Sequence, residues 1–138
     1  MKLLSIKKFL LPFVAVFGVI TVFNLIFHEF LMSKLYFDNS ELFRSQDEIQ
    51  KGQTLMHIAN LIYSFTFCYI YSKGYESGQS LAQGIRYGIW ISLLIWLPQL
   101  IVDYVVFPYP TVLQISWFIG YTVQTLLAGV TLATTYKE

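Results

Sequence analysis

The chain has 138 residues, of which 56% are hydrophobic and only 12% are charged, and its formal net charge is +1. Soluble domains contain about 25% charged residues, so this composition excludes an ordinary soluble domain and a disordered chain. The near-neutral charge provides no basic surface for nucleic acid, and the single cysteine, Cys68, excludes a disulfide framework or a redox pair of cysteines. We therefore expect an all-α integral membrane protein with one transmembrane domain over residues 1–138.

Four stretches of the chain are long enough to form membrane-spanning helices, which need about 20 mainly apolar residues each. Residues 9–27 and 53–72 carry no charge, and residues 87–136 carry only the charge of Asp103. The last stretch is too long for one helix, and the two prolines within 107–110 divide it. The pattern predicts helices over about 9–32, 53–72, 85–107 and 111–135, with an outer loop over 33–52.

Short connections after the second and third predicted helices favour antiparallel neighbours, so the predicted fold is a four-transmembrane-helix up-down bundle. The first apolar run is longer than a signal-peptide core and no small-residue cleavage site follows it, so we expect this helix to remain in the mature protein. With four spans, both termini lie on one side of the membrane. That side holds six basic residues and the opposite side holds three, which predicts cytoplasmic termini.

Two local motifs have more than one interpretation. Ser45 and Glu48 have the spacing of a helix capping box, and the outer loop is either a short helix on the membrane surface or a solvated connection. Gly84 and Gly88 have GxxxG spacing, which allows close packing either inside the bundle or between two copies of the chain.

Each predicted helix carries one stripe of polar or small side chains. Polar groups in lipid are costly, so these stripes are expected to face one another and to form a polar pocket in the outer half of the bundle. The candidate residues for ligand or proton binding are Asn24, His28, His57, Asn60, Gln99, Asp103 and Gln114.

Three interpretations of this group remain open. His28, His57 and Asp103 could hold a metal ion, although their spacing matches no metal motif. They could bind a ligand or exchange a proton, or they could only tie the helices together. No cofactor is predicted.

The corresponding functions are also open. The leading hypothesis is a binding or accessory protein with an outward-facing pocket, surrounded by the lipid bilayer and able to join a homo-oligomer or another membrane protein. The alternatives are a proton-coupled transporter acting as an oligomer and a membrane enzyme that uses a His/Asp group.

Two groups of glycines and aromatic residues resemble those of small four-span bacterial membrane proteins to which no activity is assigned. They comprise Gly74-Tyr75-Glu76 and Gln83-Gly84-Ile85-Arg86-Tyr87-Gly88, then Trp117-Phe118, Gly120 and Leu127-Ala128-Gly129. The resemblance covers about the last two thirds of the chain. It implies a helical bundle in the bacterial cytoplasmic membrane and no catalytic residue.

Overall fold

A computed structural model describes residues 6–77 and 80–136, and these residues are almost entirely helical, with no strand among them. The elements are α1 (Ile6–Ile26), a π-helical turn (Phe27–Leu31), α2 (Ser33–Asp38), a short 3-10 turn (Ser40–Leu42), α3 (Gln46–Lys73), α4 (Ser80–Val106) and α5 (Thr111–Thr135). The all-α prediction is confirmed for this part of the chain.

Three helical stretches are long and apolar enough to cross a membrane: Lys8–Leu31, Leu81–Val106 and Thr111–Thr135. They correspond to the first, third and fourth predicted spans. The second predicted span lies in α3, which is longer but less apolar, because His57, Asn60 and three tyrosines interrupt its hydrophobic residues. Length and composition therefore support three candidate spans among the described residues.

The outer loop is shorter than the sequence predicts. It extended over 33–52 in the prediction, but α2 occupies its first six residues and α3 begins at Gln46 rather than near residue 53. The early start of α3 is explained by its N-cap. The Ser45 N–H donates to Oε2 of Glu48 over 3.1 Å, and the Glu48 N–H donates to the Ser45 hydroxyl over 3.4 Å. The predicted capping box is therefore confirmed, and it begins a helix within the predicted loop.

Acid is expected to loosen this N-cap. The hydrogen bonds that Ser45 donates lower the pKa of Glu48 below its ordinary value of 4.5. The stabilisation is fully present above that ordinary value and is lost as the pH falls through the lower pKa of the folded state. Amide protection factors at residues 46–50, which correct for the slower intrinsic exchange in acid, should therefore fall as the pH is lowered. Ser45→Ala should remove this pH dependence, and an unchanged profile in that variant would contradict the capping role.

Contacts between aromatic side chains define one end of the molecule, which we call the Tyr71 end. Tyr71 of α3 contacts Tyr87 of α4 and Tyr136 after α5, with ring centroids 5.3 and 5.9 Å apart. At the opposite end, which we call the His28 end, the first span and α4 finish and α5 begins. The contacts between α4 and α5 pair Gly84 with Gly129, Ser92 with Thr122 and Asp103 with Gln114, so these two helices run antiparallel.

The loop between α3 and α4 is held at the Tyr71 end by a buried glutamine. The side-chain amide of Gln83 donates to the Gly74 carbonyl over 2.6 Å. Its oxygen accepts from the Tyr71 hydroxyl over 3.4 Å and from the Glu76 N–H over 3.2 Å. Gln83 is 8% exposed, so these bonds replace the water that its amide would otherwise bind. This residue was not among the predicted polar stripes.

The closest approach between helices is made by glycines of α4 and α5. A Cβ atom on Gly84 would collide with the carbonyl oxygen of Gly129, and a Cβ on Gly129 would collide with the carbonyl oxygen of Gly84. A Cβ on Gly88 would lie 2.9 Å from the carbonyl oxygen of Thr125. The GxxxG spacing therefore serves packing inside the chain, where small residues allow the two backbones to touch.

Candidate functional site

The π-helical turn at the end of the first span positions His28. The N–H of Met32 donates to the carbonyl of Phe27 over 2.9 Å, which inserts one extra residue into this turn. Phe27 occupies the space that Gly120 leaves on α5, where a Cβ atom would collide with the Phe27 ring. The next residue, His28, lies beside Tyr121, which follows Gly120 on α5.

His28 takes part in a chain of hydrogen bonds that joins α1, α2 and α5. The indole N–H of Trp117 donates to the Tyr36 hydroxyl over 2.8 Å, and that hydroxyl lies 2.6 Å from Nδ1 of His28. An indole N–H can only donate, so the Tyr36 oxygen accepts it and its own hydrogen is free to donate to Nδ1.

Both ring nitrogens of His28 are occupied by tyrosine hydroxyls. Burial raises the pKa of Tyr36 to about 12, so its phenol keeps its hydrogen at neutral pH. Nδ1 of His28 lies 2.6 Å from the Tyr36 hydroxyl and Nε2 lies 3.5 Å from the Tyr121 hydroxyl. His28 is therefore held in place by two tyrosines.

A second network connects three helices through amide side chains. Gln124 of α5 donates to the side-chain oxygen of Asn24 over 2.9 Å, and the Asn24 amide donates to the side-chain oxygen of Asn60 over 3.3 Å. The chain of amides joins α5 to α1 and α1 to α3. Asn24 and Asn60, which the sequence placed in the predicted pocket, are therefore joined to each other and fasten the helices.

A small cavity of about 50 Å³ lies between α4 and α5 near the His28 end, and we call it the outer cavity. Its walls comprise Trp96, Gln99, Leu100, Asp103, Gln114, Trp117, Phe118 and Tyr121. Three of these residues, Gln99, Asp103 and Gln114, were predicted site residues. Trp117 and Tyr121 belong both to this cavity and to the hydrogen-bond chain of His28, so the two features are adjacent.

Asp103 is the acidic residue of the outer cavity. One carboxylate oxygen, Oδ1, accepts a hydrogen bond from the Gln99 amide over 2.6 Å. Within residues 6–77 and 80–136, no lysine, arginine or histidine forms an ion pair with this half-buried carboxylate. The cavity wall therefore carries a negative charge that the described part of the chain does not neutralise.

Gln114 is the most buried polar side chain of the cavity wall, with 2% of its surface exposed. Its amide nitrogen donates to the backbone carbonyl of Asp103 over 3.2 Å. A carbonyl can only accept, so this bond fixes which side-chain atom is nitrogen. The Oε1 atom of Gln114 is buried and has no hydrogen-bond partner among the described residues. Such an acceptor costs about 1–3 kcal/mol when left unpaired.

His57 lies apart from these contacts. It is exposed on the first half of α3, whose neighbouring residues Leu55 and Met56 are 71% and 49% exposed. Among the described residues, no three His, Cys, Asp or Glu side chains are close enough to hold a metal ion, so His28, His57 and Asp103 form no such group there. The sequence-predicted residues therefore belong to separate arrangements: the His28 chain, the amide network, the outer cavity and the exposed His57.

The sequence prediction left out Tyr36, Trp117, Tyr121 and Gln124 as site residues. The last three lie three or four residues apart on α5, so the helical spacing placed them on the inward stripe. Helical spacing could not identify Tyr36, because this residue lies in the predicted outer loop and not on a predicted span.

Comparison with known proteins finds no family model, no curated protein and no solved structure that matches this chain. The site is therefore interpreted from its geometry.

Proposed function

We propose that this protein is a four-span, non-catalytic binding protein of a bacterial cytoplasmic membrane, with a pocket that opens outward at the His28 end. The observation that carries the proposal concerns Gln114, a residue of the outer cavity wall whose buried side-chain oxygen has no hydrogen-bond partner among the described residues. A buried acceptor without a donor is unfavourable for folding alone. A bound molecule that supplies the donor would explain why the residue is there.

The dimensions and contacts of α3 support a fourth span. Its 28 residues correspond to a length of about 42 Å, whereas the hydrocarbon core is about 30 Å thick. Asn60 contacts α1, the Tyr63 hydroxyl lies 3.3 Å from the Thr125 hydroxyl of α5, and Tyr71 contacts α4. Because these contacts are distributed along α3, we infer that it lies beside the other spans in an up-down bundle.

The distribution of charge supports the orientation. Lys73 and Arg86 flank the loop at the Tyr71 end, whereas the basic residues of the predicted outer loop belong to the opposite end. Basic residues are enriched on the cytoplasmic side. We therefore assign the Tyr71 end to the cytoplasm and the outer cavity to the external side.

Binding is favoured over catalysis by the arrangement of the titratable groups. His28 is engaged by Tyr36 and Tyr121, and no histidine forms an ion pair with a carboxylate among the described residues. The cavity therefore provides hydrogen-bonding groups but no paired acid and base.

Binding is favoured over transport by the packing of the Tyr71 end. The aromatic contacts of Tyr71 and the backbone contact between Gly84 and Gly129 close the helices against one another there. The pocket of about 430 Å³ at this end, lined by Glu76, Gln83, Arg86, Tyr87 and Trp90, is an open depression of the surface. A carrier would need a passage there in at least one state.

The test uses single cysteines in the full-length chain with Cys68 replaced by alanine. A membrane-impermeant thiol reagent is added from outside. We expect Ser40→Cys and Gln99→Cys to react, and Ser77→Cys to react only after permeabilisation. The matched control is Ile101→Cys. Ile101 is 58% exposed and lies on the opposite face of α4 from Gln99, so its thiol would face lipid, where the reactive thiolate does not form.

Each alternative gives a different labelling pattern. Reaction of positions 40 and 77 from the same side would show that α3 does not cross the membrane. Reaction of position 77 alone would reverse the orientation. A Gln99→Cys thiol as inert as the Ile101→Cys thiol would show that the outer cavity holds no water, which would contradict the proposed binding pocket.

A further inference from the structure

We propose that the outer cavity binds an alkylammonium group, supplied either by a free primary amine or by the ethanolamine headgroup of a lipid. This inference rests on the proposed binding pocket and names the chemistry of its ligand. Three properties of the cavity wall favour a cation with N–H donors: a carboxylate without an ion-pair partner among the described residues, an amide oxygen without a donor among them, and tryptophans whose N–H groups are bonded elsewhere.

The charge of the cavity favours a cation. Asp103 has no ion-pair partner among the described residues, and its Oδ1 atom alone accepts the bond from Gln99. A carboxylate near the end of a membrane span is costly unless a cation or water compensates it. A ligand with positive charge would supply this compensation, whereas an anion would be repelled.

The hydrogen-bonding groups favour a ligand that donates. Oδ2 of Asp103 and Oε1 of Gln114 are acceptors with no donor among the described residues. An ammonium group carries three donors and no acceptor. It therefore complements the carboxylate of Asp103, which belongs to the cavity wall, and it brings a donor close to the buried Gln114 side chain. A quaternary ammonium without N–H groups supplies no such donor.

The aromatic walls favour the same ligand. The indole N–H of Trp96 donates to the Thr125 hydroxyl over 2.9 Å, and that of Trp117 donates to Tyr36. Both indole donors are thus engaged elsewhere, and the Trp96 ring stacks on Tyr121 with centroids 4.5 Å apart. The two tryptophans therefore offer the ligand ring surface without N–H donors that would compete with those of an ammonium group.

The size of the cavity limits how much of the ligand can enter. A water molecule needs about 10–15 Å³ of such volume, and the cavity holds about 50 Å³. The space is suitable for an ammonium group and the methylene next to it. A longer amine must extend out of the cavity, as the chain of a lipid headgroup or of a free alkylamine would.

The experiment measures binding to the purified full-length protein in nanodiscs of anionic lipid without ethanolamine headgroups. Tryptophan fluorescence is followed during titration with methylammonium, and with ethanol as a neutral molecule of similar size. We expect saturable binding of methylammonium and none of ethanol. Equal responses to the two molecules, or no response to the amine, would overturn the inference.

Two variants test whether the Asp103 carboxylate binds the amine. Asp103→Asn keeps the side-chain shape but removes the charge, and it should weaken amine binding about tenfold or more. Glu29→Gln is the matched control, because Glu29 is an exposed carboxylate at the same end and lies outside the cavity wall. We expect it to bind the amine like the native chain. Unchanged affinity in a folded Asp103→Asn protein, or equal losses in both variants, would contradict the assigned site.

The source of the ammonium group is decided by the lipid composition. If the ligand is a lipid headgroup, nanodiscs containing phosphatidylethanolamine should suppress methylammonium binding and raise the melting temperature. If it is a free amine, that lipid should have no effect on either quantity. Failure of amine binding while Gln99→Cys remains reactive would reject the ammonium inference and retain a water-filled pocket. An inert Gln99→Cys thiol would reject the pocket itself.

Discussion

Replacement of Gly129 by leucine should destabilise the folded protein by about 2–3 kcal/mol. Even the Cβ atom of the new side chain would collide with the backbone carbonyl of Gly84, and α4 would have to move away from α5. Neither a backbone carbonyl nor a packed helix can adjust as a flexible side chain does. The expected fall in melting temperature is about 5–10 °C, measured in one detergent by circular dichroism.

The matched control for this substitution is Gly18→Leu. A Cβ atom on Gly18 would have no neighbour within 4 Å, so a larger side chain there would face lipid. We expect its melting temperature to stay at or slightly above that of the native protein, because leucine favours the helix over glycine. Equal losses in the two variants would show that the α4–α5 contact is not the source of the effect.

Tyr36→Phe should cost about 2–4 kcal/mol, because one lost hydroxyl leaves two half-buried groups unpaired. The indole N–H of Trp117 would lose its acceptor, and Nδ1 of His28 would lose its hydrogen-bond partner. The phenylalanine ring would still fill the space, so the loss should come from hydrogen bonding. We also expect α2 to detach, which hydrogen exchange over residues 33–38 would detect as faster exchange.

Tyr104→Phe makes the same chemical change at an exposed position and serves as the control. Tyr104 is 64% exposed, and we expect less than about 0.5 kcal/mol of change there. Unfolding midpoints and exchange rates of the two variants can be compared directly. If Tyr36→Phe resembles Tyr104→Phe in both measurements, the hydrogen-bond chain through His28 does not stabilise the fold.

Hydropathy and proline placement were sufficient to predict much of the helical architecture. The boundaries of α5 agree with the prediction at 111–135, because Pro110 precedes the helix and residues 111–135 contain no charged residue. The capping box at Ser45 was equally local, since its hydrogen bonds join residues three apart. Local features of this kind depend on neighbouring residues and are visible in the sequence.

The start of α3 was harder to predict than its N-cap, because hydropathy alone was taken to mark the beginning of the helix. An uncharged run was used to locate its start, but the helix extends seven residues further into a polar segment. The polar residues 46–52 are compatible with a helix once the N-cap is formed, and hydropathy reports burial in lipid rather than helix formation.

The composition of the site was decided by the tertiary structure. Helical spacing placed polar residues at one depth, but it could not decide which stripes meet. His28 lies within a π turn and contacts Tyr36 and Tyr121, and a regular helical period does not anticipate such a turn. His57, at a similar predicted depth, remains exposed because the first half of α3 has few buried residues.

The sequence by itself therefore determined the class of protein, the three apolar spans and the N-cap of α3, since these depend on composition and on neighbouring residues. Only the tertiary structure decided that Gly84 contacts Gly129, that Gln114 is buried with no partner for its oxygen among the described residues, and that Asp103 shares a cavity with two tryptophans. These contacts join residues distant in the chain. They depend on how helix faces pack against one another, and the spacing of residues along a single helix does not contain that information.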